Sequence, residues 1–224
     1  MTPRPVVSRR TALQSALGAL ALGGAAPLLA RAGATPAQIE GPFFPTRAQS
    51  DTDTDLTQVE GRDARARGER VDVHGQVLDE DGRPVPGALV DVWQANAHGR
   101  YAHEADPNPA PLDPGFQGWA RLTTDAEGRY RVRTIVPGSY PVRAGWARPP
   151  HIHFKVARRG YRELTTQMYF AGHALNDVDH LLLAVPESDR ARLLVAFEAA
   201  ADGADAVPLG RFDLVLARVP DPAA

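Results

Sequence analysis

The chain has 224 residues, 25 basic and 27 acidic side chains, and a formal net charge of −2. That length suits one domain with a sizeable core, and that charge leaves no basic footprint for nucleic acid. The absence of cysteine removes disulfides, thiolate catalysis and iron–sulfur ligation.

The N-terminal stretch stands apart in composition. Ser8-Arg9-Arg10-Thr11-Ala12-Leu13 is a twin-arginine pattern, followed over 16–30 by an uncharged run rich in Ala, Leu and Gly. Ala30-Arg31-Ala32 and Ala32-Gly33-Ala34 are both small-residue cleavage sites. Residues 1–34 therefore read as a twin-arginine signal peptide, and the mature protein is expected in the periplasm or outside the cell. The run is short for a bilayer crossing, so no stable membrane span is expected after cleavage.

Residues 35–70 read as an N-terminal arm. Glu40-Gly41-Pro42-Phe43-Phe44-Pro45 places aromatics between prolines, which suits packing over a surface without joining a sheet. Asp51-Thr52-Asp53-Thr54-Asp55 lacks the glycine and distal glutamate of a calcium loop and reads as a solvated acidic loop.

From residue 71 short apolar segments alternate with turns. Strands are expected at 71–78, 88–94, 120–124, 130–135, 151–157, 165–170 and 212–219, with turns at Asp81-Gly82 and at 126–128. A helix is expected over 188–201, capped by Ser188 and striped by Leu193, Leu194 and Phe197. The fold class is all-β: residues 71–224 form a β-sandwich of mostly antiparallel strands with long loops and one short C-terminal helix.

The candidate chemistry begins at Arg148-Pro149-Pro150-His151-Ile152-His153-Phe154. Successive strand residues point to opposite faces, so His151 and His153 share one face and Ile152 takes the other. Two imidazoles on one face can begin a metal site but do not complete one. A zinc or copper enzyme would add a carboxylate to the pair. Tyr101 and Tyr140 stand out by position, one just beyond the Val92-Trp93-Gln94 strand end and the other after Pro137-Gly138-Ser139.

Taken in order, these segments resemble the intradiol ring-cleavage dioxygenases, the family of catechol and protocatechuate dioxygenases. The matching stretches run from Gly75-Gln76-Val77-Leu78 through Asp81-Gly82-Arg83-Pro84-Val85-Pro86-Gly87 to Val92-Trp93-Gln94-Ala95. Gly99-Arg100-Tyr101, Gly118-Trp119-Ala120-Arg121 and Pro137-Gly138-Ser139-Tyr140 follow. The Arg148–Phe154 run and Leu164-Thr165-Thr166-Gln167-Met168-Tyr169-Phe170 close the set.

The resemblance implies one mononuclear non-haem Fe(III) held by Tyr101, Tyr140, His151 and His153. Tyr140 is then also catalytic, as the ligand that leaves and takes a substrate proton. Arg148 is implied as a catalytic and substrate-binding residue, with Gln167 beside the substrate or one layer behind it, and Trp93 is a candidate substrate-binding wall of the pocket. The implied reaction joins a catechol-type diol and O2, cleaving between the hydroxyls to a cis,cis-muconate-type diacid. The segment before the first strand is too short for the family's long helical dimerisation region, which leaves a homo-oligomer open. The competing readings are an exported, non-catalytic sandwich that only binds, and the zinc or copper enzyme built on His151 and His153.

Overall fold

A computed structural model of the protein describes residues 33–47, 49, 51–199 and 206–220. The expected signal peptide falls outside the described residues, apart from Gly33 and Ala34. Twelve strands run in chain order: β1 (Arg70–Asp79), β2 (Leu89–Trp93), β3 (Trp119–Thr123), β4 (Arg129–Ile135), β5 (Tyr140–Arg143), β6 (Trp146–Arg148), β7 (His151–Ala157), β8 (Leu164–Phe170), β9 (Leu194–Val195), β10 (Phe197–Glu198), β11 (Leu209–Arg211) and β12 (Leu214–Leu216). Two short helices, α1 (His180–Leu183) and α2 (Glu187–Arg190), lie between β8 and β9.

The strands form two five-stranded sheets and one hairpin. In the first sheet β1 is central, pairing antiparallel with β4 on one side and parallel with β11 and then β12 on the other. The second sheet has the order β3-β2-β7-β8-β9, antiparallel except at β9. Strands β5 and β6 pair only with each other.

Alternation along each strand makes the core. Val71, Val73 and Val77 of β1, Val90 and Val92 of β2, and Ile152, Phe154 and Val156 of β7 join one buried cluster. Ile152, Phe154 and Val156 are 0 % exposed. Full burial of such side chains stabilises the fold by about 1.5–3 kcal/mol each. This is the expected all-β sandwich, and the central strands lie within a residue or two of their expected positions.

The C-terminal region differs from expectation in two respects, the first being that the strand expected over 212–219 is confined to Leu214–Leu216. The helix expected over 188–201 stops at Arg190 after beginning at Glu187, and Leu194–Val195 is a strand. Leu193 supplies its carbonyl to the N–H of Tyr169, and Leu194 pairs with Tyr169 in parallel register. The apolar spacing of Leu193, Leu194 and Phe197 suits a helix stripe equally well. Here the open edge of β8 takes these residues, because its backbone groups need partners.

Candidate active site

The site forms on the outer face of the second sheet. Residues 151, 153 and 155 of β7 point away from the core that residues 152, 154 and 156 fill. Cross-strand register then selects their neighbours. His153 lies between Trp93 of β2 and Gln167 of β8, and His151 lies opposite Tyr169. The indole of Trp93 stacks on His153 with ring centroids 4.7 Å apart. Both histidines are buried, because the 33–47 segment and the 96–118 loop cover this face.

Two loops deliver the tyrosines. Asn96 closes the first turn, its side-chain oxygen accepting from the N–H groups of His98 and Arg100. The N–H of Tyr101 then donates to Asp106 at 2.7 Å. The second loop, leading to Tyr140, presses directly on this turn. A Cβ on Gly99 would lie 2.5 Å from the Ser139 carbonyl oxygen, and one on Gly138 would lie 2.5 Å from the Ala97 carbonyl oxygen. Gly99 also has φ of 76°. Only glycine permits both this closeness and that dihedral, so the two glycines set the spacing of the tyrosines. Past the contact the chain turns into the β5–β6 hairpin, where Tyr140 pairs with Arg148.

Four donor atoms converge there. The Tyr101 hydroxyl lies 3.2 Å from His151 Nε2 and 3.2 Å from His153 Nε2. The Tyr140 hydroxyl is 3.5 Å from His151 Nε2. His151 Nδ1 donates to the Pro149 carbonyl at 2.7 Å. A carbonyl only accepts, so the proton sits on Nδ1 and the Nε2 lone pair faces the tyrosines. Burial, with Arg148 next in effect, lowers both imidazoles: His151 falls well below its ordinary range and His153 falls to about 3. Both are therefore neutral at pH 7, as ligands must be. Burial also raises both phenols. Tyr140 adds to the rise at Tyr101, whereas the Arg148 charge opposes the rise at Tyr140.

This donor set fits a hard trivalent cation. Two phenol oxygens, once ionised, would offset two of three positive charges, and a bound cation favours that ionisation. Among the described residues no carboxylate joins the histidine pair, as the zinc or copper reading would need, and no three His, Asp or Glu side chains gather as a metal site.

Beside these donors Arg148 is held from three directions. Its Nε donates to Asp179 at 3.0 Å, and its Nη2 donates to Gln167 at 2.6 Å and to the Tyr169 hydroxyl at 3.1 Å. The Arg148 and Asp179 side chains are 5 % and 0 % exposed. Asp179 also accepts from Trp146 Nε1 and caps α1 at the Leu182 N–H. Nη1 of Arg148 is left without a protein partner among the described residues. A cavity of about 360 Å³ opens over Tyr140, Arg148 and His153.

The structure thus gathers Tyr101, Tyr140, His151, His153 and Arg148. Gln167, expected beside the substrate or one layer behind it, and Trp93, expected as a wall of the pocket, do not line the cavity. Gln167 is 0 % exposed and spends its amide on Arg148 and the Ile39 carbonyl. Trp93 is spent against His153. Both act from beneath the site: each sits on the central strands next to a histidine, and the sheet buries that position.

Sequence reasoning missed Asp179, Tyr169 and Gln38, whose side-chain oxygen accepts from the Tyr169 hydroxyl at 2.8 Å. Asp179 carried one local signal, its place as a cap ahead of an apolar run. Gln38 carried none.

The family model described as "Dioxygenase" matches residues 39–218. The protocatechuate 3,4-dioxygenase beta chain of Burkholderia cepacia is 48 % identical over 152 residues, covering 65 % of this chain and 63 % of that protein. A catechol 1,2-dioxygenase of Acinetobacter baylyi is 36 % identical over 62 % of this chain and 47 % of its own length. The chain therefore spans about half to just under two thirds of these curated relatives. Among solved structures, the dioxygenase domain of a dioxygenase–carbohydrate-binding protein fusion from Streptomyces sp. SirexAA-E superposes with a TM-score of 0.59 at 32 % identity. That match covers 83 % of this chain and 99 % of the domain. With a family match over most of its length, the chain belongs to the intradiol ring-cleavage dioxygenases.

Proposed function

We propose that this protein uses one mononuclear non-haem Fe(III) and O2 to cleave a catechol-type diol between its two hydroxyls, giving a cis,cis-muconate-type diacid. The observation that carries the proposal is the meeting of two phenol oxygens and two imidazole nitrogens beside a cavity walled by Arg148. Tyr101, Tyr140, His151 and His153 would hold the ion. Bound there, ferric iron would supply Lewis acidity toward a catechol-type diol and draw electron density from its ring.

The protein's own groups divide the remaining work. A diol that binds through both oxygens has two protons to give up. Tyr140 lines the cavity, so its oxygen can swing toward a substrate, and burial makes its phenolate a strong base. Tyr140 takes one of those protons, and solvent hydroxide takes the other. Tyr101 is 3 % exposed and stays in place. His151 keeps its Nδ1 proton on the Pro149 carbonyl, which fixes the ring's orientation. Arg148 Nη1 faces negative charge developing on the ring or on the migrating acyl oxygen, held by partners that leave it no other pose. The apolar covering excludes water and strengthens each of these interactions.

The test is oxygen uptake by the iron-loaded protein with catechol, with the product identified by mass. A muconate-type diacid is the expected product; cleavage beside the diol overturns the proposal. The loaded protein should also be burgundy from tyrosinate-to-iron charge transfer. Tyr101→Phe and Tyr140→Phe should each bleach or shift that band, and an unchanged spectrum refutes the ligand set. We further propose export by the twin-arginine route, which Arg9→Lys with Arg10→Lys should block in cell fractionation.

A further inference from the structure

The cavity over the site has a composition that the reaction alone does not require. Its volume of about 360 Å³ is within the range that holds drug-sized ligands, more than a bare diol ring demands. Ile39, Phe43, Val142, Trp146 and Leu181 supply apolar wall. Two of these side chains reach the rim, Ile39 at 56 % exposure and Val142 at 47 %. Large apolar side chains left open beside a cavity favour an apolar occupant.

The charges on the same wall are unbalanced. Two carboxylates, Glu40 and Asp106, line it, and among the described residues Arg148 is the single cation that does. The charge of Arg148 is already matched by Asp179 at 3.0 Å. Lys155 lies outside the lining and pairs with Glu40 and Glu163. The Arg143 guanidinium, also outside the lining, rests 5.6 Å from the centre of the Trp146 ring. A ring carboxylate entering this space meets the carboxylates of Asp106 and of Glu40, the latter paired with Lys155, and its one open partner is Arg148 Nη1, which the ring chemistry occupies.

We infer that the preferred diol carries a neutral, apolar ring substituent that lies between Ile39 and Val142. The wall carboxylates turn away diols bearing a ring carboxylate. The inference rests on the ring-cleavage reading above and narrows it to a substrate class. It also separates this chain from what the name of its 48 %-identical relative suggests, since protocatechuate is a carboxylate-bearing diol.

A matched pair isolates the charge: 3,4-dihydroxybenzoate and its methyl ester. The ester withdraws more electron density from the ring than the carboxylate does, so bias in its favour does not arise from easier oxygen chemistry. With the iron-loaded protein, kcat/KM is expected to favour the ester at least ~10-fold, the ratio that corresponds to about 1.4 kcal/mol. Anaerobic calorimetry, which sees binding without turnover, should order the pair the same way, and 4-tert-butylcatechol should bind at least as tightly as catechol. Glu40→Gln should narrow the ester-to-acid ratio. Equal or better use of the acid overturns the inference, as does a ratio that Glu40→Gln leaves unmoved. If catechol is cleaved and the acid is preferred, the substrate class alone falls. If no diol is bound or cleaved, the ring-cleavage reading falls with it.

Discussion

An arginine clasps a carboxylate over the outer face of each sheet, the second clasp being built from β6 and the cap of α1, and the two differ in their surroundings. On the first sheet Asp72 of β1 meets Arg131 and Arg133 of β4, whose side chains are 65 % and 30 % exposed. On the second, Arg148 and Asp179 are both sealed. The chemistry of the two pairs is the same, and what differs is the covering. The 33–47 segment and the α1 region lie over the second clasp, while the arginines of the first reach water. Where the arginines of the first clasp reach water, solvent already satisfies much of their charge and each contributes little, although Asp72 itself is 2 % exposed. Under cover, each charge depends on the other, and the pair fixes a guanidinium in one pose.

Removing Asp179 should give the largest effect. Asp179→Ala leaves Arg148 charged and unpaired in the interior and removes the cap of α1, so unfolding in urea should show a loss of about 3–5 kcal/mol. Next comes Arg148→Lys, which keeps the charge and loses the fork. We expect kcat to fall by about 10²–10³-fold with iron content unchanged, as when one pre-set donor is removed from a reaction site.

The clasp on the first sheet should respond mainly to acid. Burial alone would raise the Asp72 carboxyl, but hydrogen bonds and charge from Arg133 and Arg131 outweigh it and hold it below the ordinary value of 3.8. The unfolded chain then takes up the proton first as pH falls. The stabilisation is complete above the ordinary carboxyl value and disappears as pH drops through the lowered one. Urea midpoints measured from about pH 5 to about pH 2 should fall less steeply for Asp72→Asn than for the natural protein. The smallest effect belongs to Arg131→Ala, expected within about 1 kcal/mol, since Arg133 keeps both carboxylate oxygens of Asp72 occupied. A loss at Arg131 as large as that at Asp179 would erase the distinction between the two faces.

The comparison also explains which parts of the site were readable in advance. His151 and His153 were, because the two-residue period of a strand is local and fixes which residues share a face. The central strands were readable for the same reason. Tyr101 and Tyr140 lie in loops with no period, and only the ordered resemblance singled them out. What joins them in space is the contact of Gly99 with Ser139 and of Gly138 with Ala97, between segments about forty residues apart. Asp179, Tyr169 and Gln38 were not readable, because each acquires its role from a partner distant in the chain. The 193–197 segment was ambiguous: its apolar spacing serves a helix or an edge strand, and an unpaired edge elsewhere in the fold decided between them.

The segment that follows the expected signal sequence has a further consequence. Thr35 bonds twice to Val215 of β12, Gln38 donates its backbone N–H to Thr165, and Ile39 to Phe43 serve as wall. The hydrogen bonds lie at the margin of the sandwich, and the ring contacts of Phe43 with Tyr101 and of Phe44 with Trp93 tie the segment to the site's own aromatic cluster and not to the main core. Pulled from its leading end, the molecule should surrender the chamber before the sandwich yields. Catalytic competence and foldedness would then be lost at different forces, and a protease trimming a few residues too many could leave a sound scaffold with an open floor.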